Sequence, residues 1–253
     1  MISLKTKDWR INDIDTVFFD KDGTLIDLHY FWGKMTELRA VEIIKIYNLK
    51  DELYTTLCSY LGYDVDSKKM LKDGITALYS RSKIIEIFKN DLKKHNIKTS
   101  TEELEVIFDN VSKKFYSNMF DYIKPIEDAV IFMKELKSIG IKLGIITSDS
   151  VESTNLTIKH FGWENLFSTI VGRELSPQTK ESGALTKIAL TETNTNPKNA
   201  IIIGDAPMDY LAGKNAGIEK TILVATGQLS KEELSKTSIY SIESLKQVTI
   251  IPS

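Results

Sequence analysis

The chain has 253 residues, of which 42% are hydrophobic and 27% are charged, an ordinary composition for a globular protein. Its 33 basic and 35 acidic side chains give a formal net charge of -2, which argues against the basic surface of a nucleic-acid-binding protein. The single cysteine, Cys58, excludes an intramolecular disulfide and is predicted to be buried, and no apolar run is long enough to cross a bilayer, so we expect a soluble cytoplasmic protein.

Short apolar runs indicate the strands of a parallel sheet. Each run is strand-length, rich in β-branched or aromatic residues and free of polar alternation, as is typical of strands buried on both faces. In chain order the runs cover residues 16–19, 142–146, 169–171, 200–203 and 221–224, and amphipathic helical patterns cover 127–138, 153–161, 184–191 and 209–215. This alternation predicts an α/β fold with a Rossmann-like parallel sheet and right-handed crossovers.

The segment between the first and second runs has a different pattern. It contains no convincing strand, and its apolar residues recur at helical spacing in 38–46, 84–92 and 104–115. It is too long for a simple crossover. We therefore predict an all-helical domain at 28–120, inserted into an α/β core formed by 1–27 and 121–253.

Acidic and hydroxyl side chains follow the predicted strands at the edge where parallel sheets bind ligands. The candidates are Asp20, Asp22, Thr147, Ser148, Asp205 and Asp209, with Lys180 in a loop before the fourth run. Clustered carboxylates repel one another unless a cation joins them, and carboxylate oxygens favour a hard ion such as Mg²⁺. A single aspartate here could equally be a turn or cap residue, and Asp149 is interpreted as a helix cap. The grouping of the others predicts a magnesium site and phosphoryl chemistry.

Four segments resemble the motifs of the haloacid dehalogenase superfamily. Residues 17–25, with the sequence VFFDKDGTL, resemble the first motif; 145–148 resemble the second, Lys180 the third, and 203–209 the fourth. The resemblance is to the phosphoglycolate phosphatase-like subgroup, and it implies that the helical insertion is a cap that closes over the site and selects the substrate. Two departures stand out. Lys21 replaces an apolar residue and is expected to reach solvent, and Lys180 lacks the usual proline-containing run, which leaves Lys187 as a weaker alternative.

The resemblance also implies catalytic and metal-binding roles. Asp20 would be the nucleophile, and Asp22 the acid that protonates the leaving oxygen and then deprotonates water. Mg²⁺ would be held by the Asp20 carboxylate, the Asp22 carbonyl and Asp205, with Asp209 in support. Lys180 would neutralise charge on Asp20 and on the phosphoryl group.

The phosphate-binding roles fall on three further positions. Thr147 and the adjacent Ser148, with nearby backbone N–H groups, would hold phosphate oxygens. Gly23 would let the chain turn sharply as its backbone approaches the phosphate. Lys180 would contribute here as well.

The resulting hypothesis is a magnesium-dependent phosphatase that hydrolyses a small-molecule phosphate monoester, with phosphoglycolate as the leading substrate, through an aspartyl-phosphate. Asp22 disfavours dehalogenation, because a halide leaving group needs no proton. The expected partner is a small phosphorylated metabolite, not a nucleic acid or a membrane, and the oligomeric state is not readable. Two alternatives stay open: a phosphomutase or phosphonate hydrolase of the same superfamily, and a non-catalytic phosphate-binding or signalling module.

Overall fold

The computed structural model describes residues 1–252. Its strands are β1 (Ile2–Lys5), β2 (Arg10–Ile14), β3 (Thr16–Phe19), β4 (Tyr63–Asp64), β5 (Lys69–Met70), β6 (Lys142–Ile146), β7 (Thr169–Val171), β8 (Ala200–Gly204), β9 (Thr221–Val224), β10 (Ser241–Ile242) and β11 (Thr249–Pro252). Its α-helices are α1 (Leu28–Ile46), α2 (Tyr54–Tyr60), α3 (Ile75–Leu78), α4 (Arg81–Lys93), α5 (Thr101–Ser117), α6 (Glu127–Ser138), α7 (Val151–His160), α8 (Ala184–Glu192), α9 (Pro207–Lys214) and α10 (Lys231–Ser235). Short 3₁₀ turns lie at Asp51–Leu53, Met119–Asp121, Arg173–Leu175, Lys180–Ser182, Pro197–Asn199 and Leu245–Gln247. None of the helices in this part of the chain has the length and apolar character needed to span a membrane.

The central sheet confirms the predicted α/β class. Within the described residues it has six strands in the order β10-β9-β8-β3-β6-β7, and every neighbouring pair is parallel. The five predicted strands form most of this sheet, and all four residues of β3 are buried, as expected for a strand covered on both faces. Because β3 pairs with β6 on one side and β8 on the other, the carboxyl ends of these three strands lie side by side.

Helices α8 and α9 cover part of this sheet. Leu185 and Ala189 of α8 and Ala212 of α9 belong to a buried cluster that also contains Phe18 and Ile202 of the sheet. The apolar residues that predicted amphipathic helices therefore pack on the strands. Burial of this apolar surface favours the fold by about 25 cal/mol per Å².

An antiparallel sheet of three strands was not predicted. β1 pairs with β2 and with β11, so that Ile2 lies opposite both Ile14 and Pro252. Ile2, Leu4 and Ile14 are buried there. The strands are short, and β11 comes from the other end of the described chain, so local patterns give little indication of this pairing.

The chain divides into two compact units. One consists of residues 1–27 and 125–253, and the other, called the helical unit below, of Leu28–Lys124. Helices α1, α2, α4 and α5 contribute to a core in the helical unit that includes Cys58, and the predicted burial of this cysteine is confirmed. The unit also carries a short antiparallel hairpin, β4–β5, which the sequence pattern did not indicate. Gly62 and Gly74 flank it, and a Cβ on Gly62 would lie 2.7 Å from the Gly74 Cα, which explains why both positions are glycine.

Candidate active site

The loop after β3 places Asp20 at the centre of the sheet edge. The Asp20 N–H donates to the carbonyl of Ile203 in β8, at 2.9 Å, so the residue continues the sheet pairing. The chain then turns back, with the Ile26 N–H donating to the Lys21 carbonyl at 2.9 Å and the Gly23 N–H to the Ile26 carbonyl at 2.7 Å. Gly23 has φ of 92°, a left-handed conformation that glycine adopts without a Cβ penalty.

The loop after β9 holds this turn in place. The Thr226 hydroxyl donates to the Gly23 carbonyl at 2.5 Å. The adjacent Gly227 contacts the acidic group of the site so closely that an added Cβ would lie 1.7 Å from Asp205 Oδ2. This role of Gly227 was not predictable from the sequence, because a steric requirement set by a residue distant in the chain leaves no local signal.

Thr147 and Ser148 follow β6 but differ in exposure. Thr147 is buried, its N–H donates to the carbonyl of Val171 at 3.0 Å, and its hydroxyl accepts from the Asp149 N–H at 3.0 Å. Ser148 is exposed. Both lie at the carboxyl end of the strand next to β3, which is where a phosphate ligand of this sheet edge is expected.

Lys180 links two of the predicted acids. It lies in the short turn Lys180–Ser182 and is only 4% exposed. Its Nζ lies 2.5 Å from Asp20 Oδ1 and 2.6 Å from Asp209 Oδ1. Lys187, in α8, is exposed, so Lys180 is the lysine that the fold brings to the acids.

Three carboxylates converge beside this lysine. Single oxygens of Asp20, Asp205 and Asp209 lie within 4.8 Å of one another, and all three residues are buried. Asp209 lies in the first turn of α9 and accepts from the Ala206 N–H at 3.1 Å. A Cβ on Gly204 would come within 2.2 Å of the Asp209 carboxylate, so glycine is required at the end of β8.

The electrostatics of this cluster are those of crowded, desolvated acids. Burial, opposed by Lys180 and reinforced by the carboxylate of Asp209, raises the pKa of Asp20 to about 7. Burial and the negative charges of Asp20 and Asp209 raise the pKa of Asp205 well above its usual range. Although burial alone would lower it, the two acids in contact with Lys180 raise the pKa of that lysine, which stays charged.

The residues present fit a small divalent cation. Three carboxylates face one ammonium group, so their ionised forms leave negative charge that Lys180 does not neutralise. The donors are oxygens without imidazole or thiolate, the set that Mg²⁺ prefers. The buried carboxylates of Asp20, Asp205 and Asp209 are the residues that could hold such an ion.

Asp22 lies apart from this cluster. Its side chain is 41% exposed and lies 3.1 Å from the Nζ of Lys21, measured to Oδ1. A partly exposed carboxyl group two residues from Asp20 can exchange protons with a bound molecule and with solvent.

The expectation that Lys21 reaches solvent is wrong. The residue is 7% exposed, and its Nζ lies 2.8 Å from Asp149 Oδ2 as well as near Asp22. Burial acts to lower the pKa of Lys21, but the two carboxylates prevail and raise it. The physical reason is that the carboxylates of Asp149 and Asp22 form ion pairs with the Lys21 ammonium group inside the loop. These ion pairs replace contact with water.

The interpretation of Asp149 as the cap of α7 is also wrong. The N-cap is Ser150, whose hydroxyl accepts from the Ser153 N–H at 3.1 Å. Asp149 instead accepts from the Ser150 N–H at 2.7 Å and pairs with Lys21. Burial opposes ionisation of Asp149, but Lys21 outweighs it and lowers the pKa of Asp149.

Replacing Lys21 by Met should therefore destabilise the protein at neutral pH. We expect a loss of ~1–2 kcal/mol, below the ~3–5 kcal/mol of a fully buried pair, because the side chain of Asp149 is 25% exposed. Because the pKa of Asp149 is lower in the folded protein, its ion pair stabilises the fold above the pKa that Asp149 has in the unfolded chain. This stabilisation is lost as pH falls through the folded pKa. The difference in free energy of unfolding between wild type and Lys21→Met, measured by urea denaturation, should be full at pH 7 and shrink below about pH 4.

The exposed Lys134 supplies the control for this experiment. Lys134→Met should leave the free energy of unfolding within about 0.5 kcal/mol of wild type. Equal stability of the two variants at pH 7 would show that the Lys21 ion pairs contribute nothing.

Comparison with known proteins agrees with the geometry. The family model for haloacid dehalogenase-like hydrolase matches residues 67–224, which is more than half of the chain. A phosphoglycolate phosphatase of Psychrobacter arcticus is 29% identical over 210 residues, covering 82% of this chain and 82% of the relative. A pyrophosphatase PpaX of Halalkalibacterium halodurans is 25% identical over 211 residues, covering 83% of this chain and 84% of the relative.

Solved structures share the same fold. The crystal structure of a HAD-superfamily hydrolase of subfamily IA from Geobacter sulfurreducens matches with a TM-score of 0.63 at 16% identity, over 93% of this chain and 94% of that chain. At such identity the likeness concerns the fold alone.

Proposed function

Because the chain belongs to the haloacid dehalogenase-like hydrolases, we propose that this enzyme is a magnesium-dependent phosphatase acting on a small-molecule phosphate monoester. The observation that carries the proposal is the buried contact between Asp20 and Lys180 beside Asp205 and Asp209. It combines a nucleophile, a fixed positive charge and a cation site at one sheet edge.

The proposed reaction proceeds in two displacements at phosphorus. An Asp20 oxygen forms a bond to phosphorus as the ester P–O bond breaks, and Asp22 gives its proton to the leaving alcohol oxygen. Asp22 then takes a proton from water, whose oxygen attacks the phosphorus of the aspartyl-phosphate. Inorganic phosphate leaves and the Asp20 carboxylate is restored.

The surrounding groups stabilise the negative charge of the phosphoryl group during its transfer. Lys180 stays positively charged beside Asp20 throughout the reaction, since the pKa of the lysine is raised. Thr147, Ser148 and the backbone of the Gly23 turn are proposed to hold phosphate oxygens. A Mg²⁺ ion bound by Asp20, Asp205 and Asp209, together with the Asp22 carbonyl, would supply further neutralisation of the phosphate charge.

The substrate is proposed to be a small phosphorylated metabolite, with phosphoglycolate tested first. The proposal rests on the phosphoglycolate phosphatase and the pyrophosphatase among the relatives. Phosphoglycolate presents an alkoxide leaving group, which needs the proton of Asp22, whereas the phosphate released from pyrophosphate is a weaker base. Hydrolysis of phosphoglycolate should therefore depend more on Asp22 than hydrolysis of pyrophosphate does. Comparing the two substrates tests this role of Asp22 as well as the specificity.

The decisive experiment measures phosphate release from p-nitrophenyl phosphate and from a panel of phosphoglycolate, pyrophosphate, sugar phosphates and nucleotides, with Mg²⁺ and with EDTA. We expect turnover only with Mg²⁺ and a preference for one small substrate. Transfer of the phosphoryl group to a second sugar hydroxyl would identify a mutase. Failure of the full panel with Mg²⁺ would reject the phosphatase assignment.

Metal-free protein should lose stability as pH rises from about 4 to about 7. The folded pKa of Asp20 is raised to about 7, so the folded state binds the proton more tightly than the unfolded chain over this range. The stabilisation from the Asp20 proton is full below the pKa that Asp20 has in the unfolded chain, and it is lost as pH rises through the folded pKa. It amounts to a few kcal/mol, at ~1.4 kcal/mol per pKa unit. Thermal melts should show a larger rise in Tm on adding Mg²⁺ at pH 8 than at pH 5.

The Asp20→Asn variant is the control for these melts. It has no carboxyl group to titrate at this position, so its metal-free stability should vary less with pH than that of wild type. An equal Mg²⁺ effect at the two pH values in wild type would contradict a site made of these carboxylates.

Substituting Gly227 by Ala should weaken Mg²⁺ binding by about 10–100-fold, the range typical of groups that position metal ligands. The added Cβ would overlap Asp205 Oδ2 and force this carboxylate to move. The Mg²⁺ concentration that supports half-maximal activity measures the effect. Gly140→Ala is the comparison. A Cβ there meets no atom within 4 Å, and although its φ of 81° strains an alanine and should lower stability, the Mg²⁺ dependence should be unchanged.

A further inference from the structure

The helical unit contains a cavity of about 290 Å³ whose lining includes no residue of the acidic cluster. Its floor includes Met35, Phe108 and Ile84, all of which are buried. Tyr79 and Tyr116 lie at its exposed rim, since their exposed fractions are 47% and 54%. The cavity is thus an open, largely apolar pocket of a size suited to a small organic molecule.

A buried arginine lines this pocket, and residues 1–252 supply it with no counter-charge. Arg39, on α1, lines the cavity and is only 6% exposed. No carboxylate pairs with it, and its Nε has no hydrogen-bond partner among residues 1–252. Its guanidinium carbon lies 4.4 Å from the ring centroid of Phe108, which orients the group without neutralising it.

A second arginine lines the cavity but has a carboxylate partner. Arg81 also lines the cavity, but it is neutralised by an ion pair of 2.7 Å between its Nη2 and Asp109 Oδ1. Burial and the proximity of Arg81 lower the pKa of Arg39 to about 10, so Arg39 is charged at neutral pH. Buried charges in proteins are normally paired, and an unpaired one is costly.

We propose that this cavity is a binding site for a small organic anion, with a carboxylate or phosphate group held by Arg39. The guanidinium offers several N–H donors to an oxyanion in a planar arrangement. Ser112 lines the same cavity and offers a further hydroxyl donor, whereas the Thr76 hydroxyl already donates to the Leu61 carbonyl at 2.6 Å. Trp32 and the apolar floor suit an aromatic or aliphatic body attached to the anion.

The site does not depend on the proposed phosphatase activity. Every lining residue belongs to the helical unit, and none of them is among the candidate catalytic or metal-binding residues. Binding can therefore be measured without turnover, and a failed phosphatase assay would leave this inference standing.

The test is calorimetric titration of the full-length protein in EDTA with sodium benzoate and, separately, sodium phenylphosphonate at constant ionic strength. Benzoate represents a carboxylate source and phenylphosphonate a phosphate source. We expect saturable binding of at least one probe, weakened at least tenfold by Arg39→Met. Lys113→Gln, which removes an exposed cation from α5, should bind like wild type.

Stability separates a ligand-binding arginine from a structural one. In anion-free buffer Arg39→Met should melt higher than wild type, by about 2–4 °C, because an apolar side chain replaces an unpaired buried charge. If Arg39→Met does not fold, Arg39→Lys keeps the charge but loses the planar donors, and should bind the probe several-fold more weakly.

Three results would overturn the proposal. The first is the absence of saturable binding of both probes to wild type, which would mean that the cavity holds only solvent. The second is equal affinity in wild type and the Arg39 variants. The third is a melting temperature for Arg39→Met below that of wild type together with unweakened probe binding by Arg39→Lys, which would assign Arg39 to packing.

Discussion

Asp20→Asn is expected to reduce phosphate release by at least about 10⁴-fold, the scale seen when a catalytic nucleophile is removed. Asparagine has nearly the same shape as aspartate, so Lys180 keeps its contact with Asp209 while the attacking oxygen is lost. The measurement is kcat with p-nitrophenyl phosphate and Mg²⁺. In wild type, mass spectrometry after an acid quench should show one phosphoryl group on the peptide that contains Asp20, and the variant should show none.

Asp8→Asn is a matched control, because Asp8 is an exposed acid in the same compact unit. It should retain wild-type activity and stability. If Asp20→Asn keeps more than about a tenth of wild-type kcat while its circular dichroism spectrum is unchanged, Asp20 is not the nucleophile.

Lys180→Met is expected to have the second largest effect. It removes the ammonium group that contacts both Asp20 and Asp209 and leaves these buried acids without their positive partner. We expect kcat to fall by about 10²–10³-fold, as for loss of one preorganised electrostatic contact. The free energy of unfolding in EDTA should fall by roughly 2–4 kcal/mol at pH 8. The loss should be smaller at pH 5, because Asp20, whose pKa is raised to about 7, is then protonated.

Lys187→Met provides a direct comparison, because Lys187 is close to Lys180 in the chain but is exposed, whereas Lys180 is buried. The Lys187 variant should match wild type in kcat and in stability. The opposite result, a large loss in Lys187→Met and little change in Lys180→Met, would transfer the proposed role to Lys187.

Five of the six strands that the described residues form in the central sheet were predictable, because their signal is local, whereas the two-residue β10 was not predicted. Continuous apolar runs such as 142–146 are typical of strands buried on both faces, and this one corresponds to β6. The β1–β2–β11 sheet was missed because its stability comes from pairing between residues 2–5 and 249–252. Such long-range pairing leaves no periodic pattern in either segment.

The positions of the acids were indicated by their order after the strands, but their contacts were not. Parallel strands bring their carboxyl ends to one edge, so Asp20 and Asp205 could be expected near each other. Lys180 was favoured over Lys187 by its motif position, and the structure buries Lys180 while Lys187 is exposed. The Lys21 pair with Asp149 depended on the loop after β6 lying beside the loop after β3.

The amino-acid sequence alone determined the α/β class, and it predicted a helical insertion and a set of acids at the sheet edge, because these follow from apolar periodicity and from motif residues adjacent to strands. Tertiary structure decided which charges meet: Lys180 lies between Asp20 and Asp209, Lys21 lies against Asp149, and Arg39 has no carboxylate partner among the described residues. It also decided that Gly227 must lack a Cβ beside Asp205. Ion pairing and close packing depend on distances between residues that are far apart in the chain, and these distances exist only once the chain has folded.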